Sequence, residues 1–344
     1  MAKNLFNTAS KEELRSKLES EEFGRTTLSF YRYVIIQDPS MFRDLVYEHF
    51  NTLGILGRVY VAKEGINAQI SIPDDRFNAF KDYLEQQDYL RSIPLKIAVE
   101  DNGKSFIKLV VKVKNKVVAD GLNDDTFDVT NVGRHLSAKE FNEAMEDPKT
   151  VVVDMRNHYE SEVGHFKDAV LPDTDTFRET LPVSIEMLKD KKDSKILLYC
   201  TGGIRCEKAS AYFKHHGFKD VNQLLGGIID YHRQVKSEGL ESRFIGKNFV
   251  FDDRMGERIT DDVIAKCHLC GASCDDHVNC ANEDCHMLFI QCHDCAEKLA
   301  GCCSAECMEI RSLPLDQRKA LRKGKIKTDT LSVYRKSRMR PSGI

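Results

Sequence analysis

Residues 27–36 (TLSFYRYVII) have the aromatic and β-branched content of a strand, and residues 40–53 after them place Met41, Leu45, Val46 and Phe50 at helical spacing. Residues 57–62 (GRVYVA) and 67–72 (NAQISI) are two more strand-like runs, flanking a turn-like Lys63-Glu64-Gly65. Residues 74–84 return to helical spacing, and 95–99 and 106–118 read as closing strands. The order βαββαβ with one extra strand predicts a ferredoxin-like α+β domain over residues 25–122, behind a helical leader at 1–24.

From Asp120 to Leu136 the chain turns polar, with Gly, Asn and Asp, and a linker is expected there, leading into a second core through residues 123–145. Residues 150–155 (TVVVDM) and 195–199 (KILLY) are short apolar runs of the kind buried in a parallel sheet, while 184–189 and 205–213 have helical character. Strands alternating with helices predict an α/β sandwich over 146–240. Gly226-Gly227 marks its end, followed by a helix-like 228–236. An extended stretch, 244–253, lies in a connecting segment at 241–261. A cysteine-rich module follows at 262–310 and a basic tail at 311–344.

Of 344 residues, 41% are hydrophobic and 31% charged, which excludes disordered, collagenous and membrane classes. There is no apolar run of the length that spans a bilayer, and the first residues lack the basic start and apolar stretch of an export signal. A cytoplasmic protein with no membrane partner is expected. The net charge of −3 hides an asymmetry: residues 308–344 carry 11 Lys and Arg against 3 Asp and Glu. Such a tail either leans on phosphate backbones or serves as a solvated, solubilising end.

Of twelve cysteines, ten fall in one block, Cys267-x2-Cys270-x3-Cys274-x5-Cys280-x4-Cys285-x6-Cys292-x2-Cys295-x6-Cys302-Cys303-x3-Cys307. In a reducing compartment such clustering points to metal or chemistry rather than disulfides. Two Cys-x-x-Cys pairs each set two thiolates on a tight turn, half of a tetrahedral zinc site, so structural zinc is expected, with all ten as candidate ligands. An iron–sulfur or redox role is the other reading. His268, His277, His286 and His293 are interleaved. A histidine beside a cysteine is more often a passenger than a ligand.

The remaining two cysteines lie in Tyr199-Cys200-Thr201-Gly202-Gly203-Ile204-Arg205-Cys206, directly after a buried strand and before a helix. A loop curling from strand to helix turns N–H groups inward, and with the helix amino end these make a nest that stabilises a thiolate. Gly202 and Gly203 let the backbone approach whatever the sulfur carries. A strand-end cysteine can equally be packed and inert, but Cys-x-x-Gly-x-Arg in this setting favours a reactive thiolate at Cys200.

This loop resembles the active-site loop of rhodanese domains, with support from Asp154-Met155-Arg156, Glu160-x-x-x-Gly164-His165 and Gly226-Gly227. The resemblance implies that Cys200 takes up sulfane sulfur as a persulfide cradled by the N–H groups of Thr201, Gly202, Gly203 and Ile204. Cys206 is a resolving thiol, a hydrogen-bond donor or filler, and the structural reading is favoured. Asp154 and Arg156 either brace the loop as an ion pair or form an ordinary exposed pair.

Together with FYRY at 30–33, RVYVAKEGINAQI at 58–70, DNGKSF at 101–106, CTGGIRCEKAS at 200–210, FIGKNFVFD at 244–252 and the cysteine block, the sequence is similar to the bacterial tRNA uridine(34) hydroxylase family. That resemblance spans residues 25–310 and implies a ferredoxin-like (acylphosphatase-like) domain, a rhodanese domain and a zinc-type module. It further implies oxygen-dependent hydroxylation of the wobble uridine U34 at C5, giving 5-hydroxyuridine, with molecular oxygen as co-substrate and the tRNA anticodon loop as partner. No flavin, haem or nicotinamide fingerprint and no two-His-one-carboxylate set is evident. A cofactor-free route is thiolate attack at the electrophilic C6 of uracil, leaving a nucleophilic C5 for an oxidant. Arg205 would either stabilise charge in that step or brace the helix start. Arg58, Lys63, Asn67 and Lys104 are candidate RNA contacts. Two alternatives stand beside this: a rhodanese-type sulfurtransferase carrying a Cys200 persulfide, and a non-catalytic RNA-binding adaptor.

Overall fold

The structure, a computed structural model, describes residues 9–101, 103–122 and 126–322. A short helix, α1 (Lys11–Glu19), is closed at its start by a reciprocal capping box between Ser10 and Glu13. The first sheet follows from β1 (Arg25–Tyr33), α2 (Pro39–Thr52), β2 (Leu56–Ala62), β3 (Gly65–Pro73), α3 (Phe77–Gln86), β4 (Lys96–Ile97) and β5 (Leu109–Val113). Its strand order is β4-β1-β3-β2-β5, the ferredoxin-like arrangement with β5 added parallel to β2. Period-two alternation divides its faces. Phe30, Val59, Ile66 and Ile70 turn inward against Val46, Phe50, Phe80 and Leu84 of the two helices. The opposite face carries Ser29, Tyr31, Tyr60, Asn67 and Gln69, and among the described residues no helix of this domain packs on it.

The second unit contains β6 (Arg134–Leu136), α4 (Ala138–Met145), β7 (Val151–Asp154), α5 (His158–Ser161), β8 (Gly164–Phe166), α6 (Phe177–Met187), β9 (Lys195–Tyr199), α7 (Ile204–His215), β10 (Asp220–Leu224) and α8 (Gly227–Glu238). Four parallel strands lie in the order β6-β10-β9-β7. Phe141 of α4 and Ile228, Tyr231 and Val235 of α8 pack on one face, and Leu181 of α6 with Ala209 and Phe213 of α7 on the other, giving three layers. Two elements differ from the expected pattern. The helix expected over 184–189 begins at Phe177, capped by Thr176, and runs through Pro182. The linker expected from Asp120 ends in a strand, β6, and starts buried, because the Asp120 carboxylate accepts from Lys116 Nζ at 2.8 Å.

Strand β8 leaves the parallel sheet to join β11 (Phe244–Asn248) and β12 (Glu257–Arg258). Beyond lie β13 (His277–Asn279), β14 (Leu288–Ile290), α9 (His293–Lys298), α10 (Ala305–Ser312) and α11 (Leu315–Arg322). The expected basic tail lies outside the described residues from 323 onward, as does the leader before residue 9. Among the described residues no helix is long and apolar enough to cross a membrane.

Candidate active site at Cys200

Strand β9 is buried through Tyr199, so the chain emerges from the sheet with Cys200 at its end, and α7 begins four residues later. The turn between them depends on two glycines. Gly203 has φ +95°, and a Cβ there would lie 2.8 Å from the Tyr31 hydroxyl of the first domain. Gly227 has φ +69°, and its Cβ would lie 2.5 Å from the Cys200 carbonyl oxygen. This close approach lets the first turn of α8 hold the loop, with Ile228 N–H donating to the Cys200 carbonyl at 3.1 Å and Ile229 N–H to that of Thr201 at 3.2 Å.

The Cys200 sulfur accepts the Gly203 N–H at 3.1 Å. Burial by itself would raise this thiol, but the Cys206 side chain, the Arg205 guanidinium and the N–H groups of Cys206 and Arg205 outweigh it and bring the pKa down to about 6. Cys206 is the counterpart, pushed well above the ordinary thiol range by burial and by its neighbour's charge. One sulfur is held as thiolate and the other as the thiol facing it.

Two buried ion pairs fix the loop. Arg205 makes a bidentate pair with Glu160 of α5 at 2.6 and 2.8 Å and reaches Thr201 Oγ1 at 3.2 Å. Arg156 grips Asp154 at 2.6–3.1 Å and donates to the Gly164 carbonyl at 2.6 Å, while the Tyr199 hydroxyl donates to Asp154 at 2.7 Å. The second pair locks the ends of β7 and β9 to β8.

Cys200, Thr201, Gly202, Ile204 and Arg205 line the floor of a cavity of about 530 Å³, within the usual range of ligand pockets. Its roof is the uncovered face of the first sheet. Strand register sets two rows of side chains there: Tyr31–Asn67–Tyr60, and Lys96–Ser29–Gln69–Arg58. Phe106 and Phe251 also line the cavity. Aromatic rings interleaved with amides on a sheet face suit a nucleobase, which stacks on one and hydrogen-bonds to the other.

In the cysteine-rich module the thiols form two tetrads, Cys267, Cys270, Cys292 and Cys295, and Cys280, Cys285, Cys303 and Cys307, with the sulfurs of each within 4.8 Å of one another. Cys270 and Cys292 are 3.6 Å apart, Cys285 and Cys303 3.7 Å, and Cys303 and Cys307 3.6 Å. A disulfide needs about 2.05 Å. A tetrahedral ion with about 2.3 Å bonds to sulfur sets its sulfurs about 3.8 Å apart. Both tetrads can hold a metal ion. Successive pairs along the chain alternate between the tetrads, so the two sites are cross-braced.

Family models match the chain in three stretches: the UPF0176 acylphosphatase like domain at residues 25–117, the rhodanese-like domain at 137–234, and the rhodanase C-terminal domain at 245–308. A tRNA uridine(34) hydroxylase of Leptospira interrogans is 57% identical over 98% of this chain and 91% of its own length. The chain belongs to the tRNA uridine(34) hydroxylase family. Members of that family from Pectobacterium carotovorum and Yersinia pestis are 55% and 52% identical, each over 97% of this chain and 94% of theirs.

The residues singled out from the sequence of this tRNA uridine(34) hydroxylase family member separate into two groups. The loop from Cys200 to Cys206, with Asp154 and Arg156, is one constellation, and the latter pair is buried rather than exposed. Of the expected RNA contacts, Asn67 lines the cavity and donates to the Val117 carbonyl at 3.3 Å. Arg58 instead ties down Phe251 through its carbonyl at 2.9 Å, and Lys63 and Lys104 stay exposed outside the cavity lining. Two of the ten cysteines lie outside the tetrads: Cys274 accepts the Asp276 N–H at 3.5 Å and Cys302 points to the Ala300 carbonyl at 4.0 Å. His268 bonds Glu162 at 2.9 Å. Sequence reasoning missed Glu160, Tyr31, Tyr60 and Lys96. The first three stood in runs that carried the resemblances, so a signal was present. Lys96 had none.

Proposed function

We propose that this chain hydroxylates the wobble uridine of tRNA at C5, giving 5-hydroxyuridine, with Cys200 as nucleophile. The observation that carries the reading is a lowered cysteine thiol on the floor of a cavity whose roof is a row of Tyr31, Asn67 and Tyr60. The relatives' name supplies the reaction, and the cavity supplies a place for a base swung out of an anticodon loop.

In the proposed sequence the Cys200 thiolate forms a bond to C6 and the C5=C6 electron pair shifts towards the C4 oxygen. C5 then takes one oxygen atom from molecular oxygen. The second leaves as water with two electrons and two protons from a thiol reductant, which becomes a disulfide. Loss of the C5 proton and departure of the thiolate restore the ring. Arg205 acts here by positioning: with its charge balanced by Glu160, it holds the loop rather than meeting the base.

In the same reading zinc is the ion of both tetrads, stapling the module whose core includes Phe249 and, against it, Tyr159 of the cavity wall. The working compartment is the cytoplasm.

The test is mass spectrometry of nucleosides from tRNA incubated with purified protein in air with a thiol, wild type against Cys200→Ala. The expected result is one oxygen gained on uridine, derived from labelled O₂ and absent in the variant. Full product from Cys200→Ala would end the covalent scheme. Because the loop N–H groups equally suit a sulfane sulfur, a second reading is sulfur transfer. It would show as sulfur on Cys200 supplied with thiosulfate, and no oxygen on the tRNA.

A further inference from the structure

Strand β4 is two residues long and lies at the edge of the first sheet, with Lys96 opposite Ser29. The lysine runs across the sheet face, its Cδ 3.8 Å from where a Cβ on Gly202 would be, and its Nζ lies 4.4 Å from the centre of the Tyr31 ring. The residue is 5% exposed and lines the same cavity as Cys200. Among the described residues no carboxylate stands within ion-pair distance of it. The acids that act on it do so through space: Asp230, the Cys200 sulfur itself, and Glu207, whose oxygens are already held by Tyr31, His135 and Gln223. A buried ammonium without a salt bridge is costly to keep. Such a group is useful where negative charge arrives or develops during the work of the site.

We propose that Lys96 is a catalytic residue lent by the ferredoxin-like domain, donating a hydrogen bond to the C4 oxygen of uracil as negative charge develops there. The inference rests on Cys200 as nucleophile. As the sulfur–C6 bond forms, the displaced electron pair comes to rest on that oxygen, and the ammonium meets it without giving up its proton. When the thiolate leaves, the pair returns to the ring. No net electron or proton transfer to Lys96 is involved. Its place on the other domain from Cys200 means that nucleophile and electrophilic partner approach the base from opposite walls.

The experiment compares full-length wild type, Lys96→Met and Lys96→Arg on tRNA. It reads kcat, KM, the salt dependence of KM and the pH midpoint of Cys200 alkylation, with thermal unfolding as the check on folding. Lys96→Met is expected to lower kcat by about 10²–10³-fold, with KM and its salt dependence unchanged and the alkylation midpoint near that of wild type. Lys96→Arg, which keeps a donor and the charge, is expected to recover part of the loss. Unchanged kcat with a raised KM, and a salt slope shallower by about one, would make Lys96 a phosphate contact and overturn the proposal. A rate loss fully explained by a raised alkylation midpoint would overturn it as well, assigning the lysine to the thiolate. A second readout is the covalent adduct between Cys200 and tRNA bearing 5-fluorouridine, in which the fluorine activates C6 to thiolate addition and slows its reversal, so that the adduct is read whether or not C5 is oxidised. Wild type that forms the adduct but no 5-hydroxyuridine ends the hydroxylase reading and leaves Lys96 testable on the adduct rate, expected to fall in Lys96→Met. Wild type that forms no adduct overturns the proposal for Lys96.

Discussion

Lys208 on α7 and Glu64 at the tip of the β2–β3 hairpin form an ion pair of 2.8 Å between the two domains, their side chains 3% and 17% exposed. The other carboxylate oxygen accepts the Val117 N–H at 2.8 Å, and Asp120 lies 3.9 Å from the same ammonium. The pair fastens the hairpin that carries Tyr60 and Asn67 to the helix that carries Arg205. The spacing of roof and floor in the cavity depends on it.

Glu64→Gln takes the short ion-pair partner from the buried Lys208 ammonium, leaving the longer contact to Asp120 and the Tyr33 ring at 5.3 Å. We expect a loss of about 3 kcal/mol, measured as a fall in the denaturant midpoint. Lys208→Met in the same chain should recover much of it, since the double variant buries no unpaired charge. Strictly additive losses would mean that the two residues do not act as a pair.

For Cys200 the pH dependence follows from its lowered pKa. Only the thiolate reacts, so alkylation by a small reagent should accelerate as pH rises through about 6 and level off above. At pH 7 about nine-tenths of Cys200 is then ionised, against a few per cent of an ordinary thiol of about 8.5. Cys206→Ala removes one of the groups holding the charge and should move the midpoint upward. A wild-type midpoint in the range of a free cysteine would mean that the loop does not stabilise the thiolate.

Gly227→Ala sets a methyl group against the Cys200 carbonyl, and Gly239→Ala offers a matched control. Gly239 has a similar φ of +65° but nothing within 4 Å of its Cβ. Both substitutions should cost about 1–3 kcal/mol of backbone strain. Only Gly227→Ala should also displace the loop, lowering kcat/KM for tRNA by about 10²-fold. Equal activity losses in the two variants would show that the close approach to Cys200 is not what matters.

Metal analysis of the purified chain should give two zinc ions. Cys267→Ser should remove one and Cys280→Ser the other, while Cys274→Ser keeps both, because Cys274 is in neither tetrad. Cobalt in place of zinc should show the visible bands of tetrahedral thiolate coordination in both sites. Visible absorption from iron in the protein as isolated would favour the iron–sulfur alternative.

The Cys200 loop was legible because its strand, turn and helix lie in one contiguous stretch, and local chemistry decides what they form. At the start of the linker read over residues 120–136, polarity does not mean exposure. Asp120 is polar and buried, since Lys116 and Lys208 satisfy it. The proline at 182 hid the turns of α6 before it, because a proline inside a helix forfeits a hydrogen bond and usually marks a helix boundary. Cysteine spacing gave the pairs but not their alternation between two sites, which is a property of the folded chain. Lys96 was illegible for a different reason. A two-residue edge strand leaves almost no periodic signal, and the meaning of Lys96 comes from a domain about a hundred residues further on.

Alternation of the thiol pairs also imposes a schedule on synthesis. The first tetrad cannot close until Cys295 has left the ribosome, by which time Cys280 and Cys285 are already looped between its halves, waiting for Cys303 and Cys307. A chain halted at residue 300 would own one complete thiol cage and half of another. Neither tetrad can be cut away as a separate piece, because the segment that holds either one also carries a thiol pair of the other.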